Sequence, residues 1–86
     1  MTPEEAIAAE VVRLARDELG FAYQGGPDEE MASRLDSLQL LSLVVAVENR
    51  FRVRLDEEDA AAARTLSALA RLLSRKGASA ALEVMP

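Results

Sequence analysis

The sequence predicts an all-α fold: a four-helix bundle with a long loop between its first and second helices and a short third helix. Three observations predict it. The apolar half of the 86 residues is aliphatic, with 16 Ala, 13 Leu and 7 Val against two Phe, one Tyr and no Trp, a composition that suits helices. Apolar residues recur at helical spacing in the first, second and last apolar segments. Each of those segments follows a residue able to cap a helix N-terminus, namely Thr2, Asp36 and Thr65.

The first helix opens with Thr2 as cap, Pro3 at the first helical position and Glu5 three residues after the cap, the pattern of a capping box. Its body runs to about Leu19. Ile7, Val11, Leu14 and Leu19, flanked by Ala8, Val12 and Ala15, form a broad apolar stripe, and Gly20 suits a left-handed C-terminal cap. Residues 20–35 read as a loop, because Gly20, Gly25, Gly26 and Pro27 break periodicity and Asp28, Glu29 and Glu30 keep its middle solvated. Phe21, Tyr23, Met31 and Leu35 are its apolar pegs. A loop this long in so small a domain is usually either functional or disordered.

Asp36 is placed to cap the second helix, with Gln39 at the capping-box position and Ser37 as the first helical residue. Eight of the ten residues from Leu38 to Val47 are Leu, Val or Ala, so apolar groups lie almost all round this helix and part of its surface is available to a partner. Leu40, Leu43, Val44, Val47 and Phe51 are the core candidates. The same stretch permits a hairpin in which Leu41–Val47 pairs with Phe51–Leu55. Helix is preferred because the run is long for a strand and no other segment supplies further strands. A connector at Phe51–Leu55 leads to Asp56, Glu57, Glu58 and Asp59, whose charges favour the N-terminus of a short Ala helix. In the last helix Leu66, Leu69, Ala70 and Leu73 share a face, Arg71, Arg75 and Lys76 complement its C-terminal dipole, and Gly77 ends it. Residues 1–77 are therefore expected to form one domain and 78–86 a flexible tail.

Size and composition exclude several functions. A chain of 86 residues buries only about 60–65% of the surface its unfolded form exposes, leaving little room for a large enclosed active site. There is no Cys and no His, so disulfides, thiolate metal sites, imidazole ligands and the usual neutral-pH general base are all missing. A net charge of −5 opposes nucleic-acid binding. Charges spread through the first 20 residues, unlike a secretory signal, and no apolar run is long enough to span a membrane. The expected setting is the cytoplasm. Charge is uneven: residues 1–49 hold ten acids and three bases, and residues 50–86 hold five acids and seven bases.

The stretch from Leu35 to Leu55, followed by the acidic short helix and Thr65-Leu66, resembles the acyl carrier protein family, including polyketide and peptidyl carriers. Asp36-Ser37-Leu38 at the head of the second helix, Glu48 closing the aliphatic run, Phe51 three residues later and Thr65 before the last helix match that family's register without a gap. The likeness is close over about residues 35–73 and one of character only in the first helix.

The resemblance implies a four-helix bundle whose Ser37 is esterified by 4′-phosphopantetheine, delivered from coenzyme A by a phosphopantetheinyl transferase, with Asp36 and Leu38 flanking the attachment point. The reactive thiol then belongs to the arm, and the chain is a carrier of thioester intermediates rather than an enzyme. A phosphodiester on a first-turn residue also suits the helix dipole and unpaired N–H groups there. The partners implied are the transferase, an acyl- or aminoacyl-loading enzyme, and downstream synthase or tailoring enzymes, met by a monomer. By resemblance Leu38, Leu41, Ser42, Val45 and Glu48 form the recognition face. Leu55 and Ala60 either complete that patch or line the path of a sequestered acyl chain.

Two departures stand out. Arg34 occupies the position where carriers usually have Gly, and the loop before the motif is a few residues shorter than in fatty-acid carriers. The second helix keeps Asp36 and Glu48 but shows Gln39, Ser42, Asn49, Arg50 and Arg52 where fatty-acid carriers show several acids, which weakens steering toward basic fatty-acid enzymes. The resulting expectation is a stand-alone carrier in a specialised pathway of polyketide, nonribosomal peptide or unusual acyl assembly. The alternative is an unmodified helical interaction domain that binds a partner through its second helix. A carboxylate-only enzyme is a distant third, since no pair of acids is placed in an evident pocket.

Overall fold

The computed structural model describes residues 2–77, and the expected tail at 78–86 lies outside them. The chain folds as α1 (Pro3–Asp17), a single 3-10 turn (Met31–Ser33), α2 (Ser37–Phe51), α3 (Glu57–Ala62) and α4 (Leu66–Arg75). Among the described residues there is no strand beyond an isolated bridge between Glu30 and Thr65, so the segment that permitted a hairpin is helix. No helix among them is long and apolar enough to cross a membrane.

Each helix begins where its cap dictates. Thr2 Oγ1 accepts the Glu5 N–H at 3.1 Å, and Thr65 Oγ1 accepts the Ala68 N–H at 3.0 Å. Asp56 and Asp59 cap α3 reciprocally, each side chain taking the other's backbone N–H. These bonds occupy N–H groups that the first turn of a helix leaves without partners. α1 stops two residues sooner than its stripe suggests, with Glu18 as its C-cap. Gly20, at φ 78°, then reverses the chain and lets the Phe21 N–H reach the Ala15 carbonyl at 3.0 Å.

The core is built from one stripe per long helix: Ile7, Val11 and Leu14 from α1, Leu43, Val47 and Phe51 from α2, and Leu66, Leu69 and Leu73 from α4. α1 packs most extensively against α4, while α3 buries none of its side chains. Polar ties hold α3 instead, including Lys76 Nζ to Asp59 Oδ2 at 3.2 Å. Met31 and Leu35 enter the core as expected, with Phe21 and Tyr23 packed against its edge. The long loop is tied down at its far end: the Ser67 N–H donates to the Pro27 carbonyl at 2.8 Å and the Met31 N–H to the Arg64 carbonyl at 2.9 Å. Arg64 also pairs with Glu30 at 3.0 Å. The segment that carries the chain into α2 is thus docked on the start of α4.

α1 and α2 are clasped by a single acid. Glu10 accepts from Arg13 Nε at 2.6 Å and from Arg50 Nε of α2 at 2.5 Å, and the Glu10 and Arg50 side chains are only 13% and 16% exposed. The Arg50 guanidinium also lies over the Phe51 ring, 5.4 Å from its centroid. Hydrogen bonding from Arg13, reinforced by Arg50, holds the Glu10 carboxyl below its ordinary range against the opposing effect of burial. Because the folded-state pKa is lowered, this clasp contributes in full above the ordinary carboxylate range and is lost as pH falls through the lowered value. Glu10→Gln is expected to cost about 1–2 kcal/mol at neutral pH, between an exposed and a fully buried pair. Denaturant unfolding at a series of pH values checks this, the gap between the proteins closing toward acid.

Candidate functional site

The site grows out of the way α2 begins. Asp36 is extended (φ −78°, ψ 175°) and stands just outside the helix. Its Oδ1 accepts the Gln39 N–H at 2.8 Å, and Gln39 Oε1 accepts the Asp36 N–H at 3.1 Å. Leu40 N–H donates to the Asp36 carbonyl at 2.9 Å. The box leaves the Ser37 and Leu38 N–H groups without a protein acceptor among the described residues. Ser37 is exposed and its hydroxyl has no partner among them either. A free hydroxyl therefore sits beside two free N–H groups at the positive end of a 15-residue helix, a setting that stabilises an anion.

Buried Leu35, whose N–H donates to the Met31 carbonyl at 2.9 Å, anchors the chain two residues before Ser37. Arg34 takes φ −117° and ψ −21°, a right-handed conformation open to any L residue, so its presence where carriers usually have Gly creates no backbone strain. Its guanidinium pairs with Glu29, and that pairing lowers the Glu29 pKa.

α2 separates two surfaces. Leu38, Leu41 and Val45 are 71%, 61% and 48% exposed, and spacings of three and four residues place them on one face, opposite Leu43 and Val47. Leu41, Ser42 and Val45 border a groove closed on its other side by Leu19, so Ser42 is half-buried rather than fully presented. Leu55 and Ala60 lie elsewhere. They line an apolar cavity of about 220 Å³ with Met31, Leu40, Val44 and Ala63. The structure thus brings Ser37, Leu38, Leu41, Ser42 and Val45 together and leaves Leu55 and Ala60 in a separate cavity. Glu48 does internal work: its Oε2 accepts the Leu55 N–H at 2.8 Å and pins the connector between α2 and α3.

Arg50 corrects an expectation. It borders the groove of Leu41 and Val45, but its guanidinium is engaged by Glu10 of α1 rather than offered outward. The signal was present in the spacing, since Arg50 follows buried Val47 by three residues and buried Leu43 by seven, which puts it on the inward edge of α2. Met31 and Ala63 as cavity walls were not foreseen, because the contact between the loop and α3 is nonlocal.

A family model described as a phosphopantetheine attachment site matches residues 6–73, a span that runs from α1 into α4 with Ser37 near its middle. No curated protein and no solved structure gives a significant match. Given the bonding at the head of α2, Asp36→Ala is expected to lower stability by about 1 kcal/mol through loss of the cap. Ser37→Ala should change it by less than about 0.5 kcal/mol, as an exposed residue without partners. Thermal and urea unfolding of the two variants checks the contrast.

Proposed function

This chain belongs to the phosphopantetheine attachment-site family, and from that premise we propose that Ser37 is the residue esterified by 4′-phosphopantetheine and that the protein is a stand-alone carrier of acyl or aminoacyl thioesters. The single observation that carries the assignment is the Ser37 hydroxyl, exposed and without a hydrogen-bond partner among the described residues, beside the free N–H groups of Ser37 and Leu38. These residues fit the group. A phosphodiester on Ser37 Oγ lies at the positive end of α2 and within reach of unpaired donors, while the Asp36 carboxylate is already held by Gln39.

When attached, the arm supplies the thiol for thioester chemistry that a chain without Cys lacks. The chain's own residues position it. Asp36 and Gln39 fix where the helix starts and so where Ser37 points, buried Leu35 holds the approach, and exposed Leu38 gives apolar cover beside the attachment point. No His is present to activate Ser37, so its hydroxyl is a nucleophile that a phosphopantetheinyl transferase has to activate. Leu38, Leu41, Ser42 and Val45 are the surface offered to the transferase, the loading enzyme and downstream synthase or tailoring enzymes.

A specialised polyketide, peptide or unusual acyl pathway is the finer reading. It is supported by the engagement of both acids of the α2 segment, Asp36 and Glu48, within the chain. Each gives one carboxylate oxygen to a backbone N–H and keeps its charge, and two such acids steer a basic partner more weakly than several exposed acids would. The apolar cavity bordered by Leu55 and Ala60 gives part of an apolar cargo a place away from water. Incubating the full apo chain with coenzyme A and a broad-specificity transferase is expected to add the mass of one phosphopantetheine to the parent and none to Ser37→Ala. An unmodified parent in that assay, with unmodified protein from the native host, overturns the carrier reading in favour of an interaction domain.

A further inference from the structure

We infer that the far end of the α2 face, through Arg52 and Arg54, docks a partner protein that presents a pair of carboxylates beside an apolar patch. The inference rests on the carrier reading and specifies the partner of the same helix. Arg13, Arg16, Arg34, Arg50, Arg64 and Lys76 all pair with acids of this chain. The Arg52 and Arg54 side chains are exposed and have neither an ion-pair nor a hydrogen-bond partner among the described residues, a state they share with Arg71 and Arg75 of α4, but only they adjoin the α2 face. They line one shallow groove with Glu48, Asn49 and Val53. Asn49 also borders the groove that contains Leu41 and Val45, so the arginines continue the apolar strip.

Spacing carries the alignment. Leu38, Leu41, Val45 and Asn49 follow one another at intervals of three, four and four residues on one helix face, and Asn49 links that face to the groove of Arg52 and Arg54. Arg52 closes α2 in the left-handed conformation, at φ 56° and ψ 47°, where Gly is the unstrained choice. It is the one non-glycine residue with positive φ among those described. An unfavourable backbone conformation kept by a charged, unpartnered side chain points to a use for that side chain.

The neighbouring charges choose the partner class. Glu57 and Glu58 are exposed just beyond the arginines, and with the acidic chain they repel a polyphosphate backbone, which excludes nucleic acid. Two discrete carboxylates on a protein surface satisfy both guanidinium groups without meeting those acids. Arg52 lies 15 residues from Ser37, or roughly 22 Å along the helix axis, so the carboxylates sit about that far from Ser37 itself.

Two synthetic amphipathic helical peptides, identical in a Leu face and ending in either Glu-Glu or Lys-Lys, provide the test when titrated into the ¹⁵N-labelled full chain. The Glu peptide is expected to bind about tenfold more tightly at low salt. Amide shifts should be centred on Leu41, Val45, Asn49 and residues 52–54, and the preference should fade toward roughly 0.5 M salt. Arg52→Glu combined with Arg54→Glu should invert the preference. Arg52→Gly should reduce it while leaving Tm equal to or above that of the parent, since Gly relieves the left-handed cap. Equal or undetectable binding of both peptides, a Glu preference that survives the double charge reversal, or a short single-stranded oligonucleotide binding as tightly as the Glu peptide overturns the inference. Failure of the underlying carrier reading is seen separately, as absence of phosphopantetheine on Ser37 by intact mass.

Discussion

The reciprocal bonds between Asp36 and Gln39 set the terms for the rest of the molecule. They start α2 at Ser37 and no earlier, and so decide which two N–H groups stay free. Beyond that start, the 3.6-residue period puts Leu43, Val47 and Phe51 on the face that packs into the core and Leu38, Leu41 and Val45 on the opposite one. A start shifted by one residue would take Ser37 out of the first helical position, where it stands beside the free donors.

Two further ties hold that helix in place. The loop ahead of it is docked on the start of α4 through Pro27, Glu30 and Met31, so a segment rich in Gly, Pro and charge acquires a definite path. Arg34 pairs with Glu29 within it. On the other side the partly buried clasp of Glu10 with Arg50 joins α2 to α1, and Glu48 secures the exit through the Leu55 N–H. Polar residues of α2 that resemble solvated decoration in the sequence thus have internal structural roles. Arg52 and Arg54, just beyond the helix, keep unpaired charge next to its exposed face.

The short α3 has a different footing. It contributes no buried side chain and is held by its own caps and by Lys76, while a cavity lies beneath it along Leu55, Ala60 and Ala63. Elements with few buried apolar contacts open at low free energy. The fold therefore places its least anchored element over an apolar cavity, while its most firmly packed pair is α1 with α4.

Much of this was legible in the sequence for a local reason: caps, helical periods and glycine stops act within a few residues. Thr2, Asp36, Thr65, Gly20 and Gly77 could be read directly, and Ser37 was identifiable because the Asp36-Ser37-Leu38 motif, Glu48, Phe51 and Thr65 keep a family's register. The period of α2 also separated Leu43 and Val47 from Leu38, Leu41 and Val45. What only tertiary packing decided depends on residues far apart in the chain. Arg50 finds Glu10 forty positions away: the period of α2 puts it on the inward edge of the helix, but only packing supplies the partner that engages its charge. Leu55 and Ala60 were divided from the exposed strip because the path of the connector, held by Glu48, turns them toward the cavity. The sequence determines which residues can start, stop and face; the three-dimensional fold determines which charges are already spent on one another, because only proximity in space neutralises them.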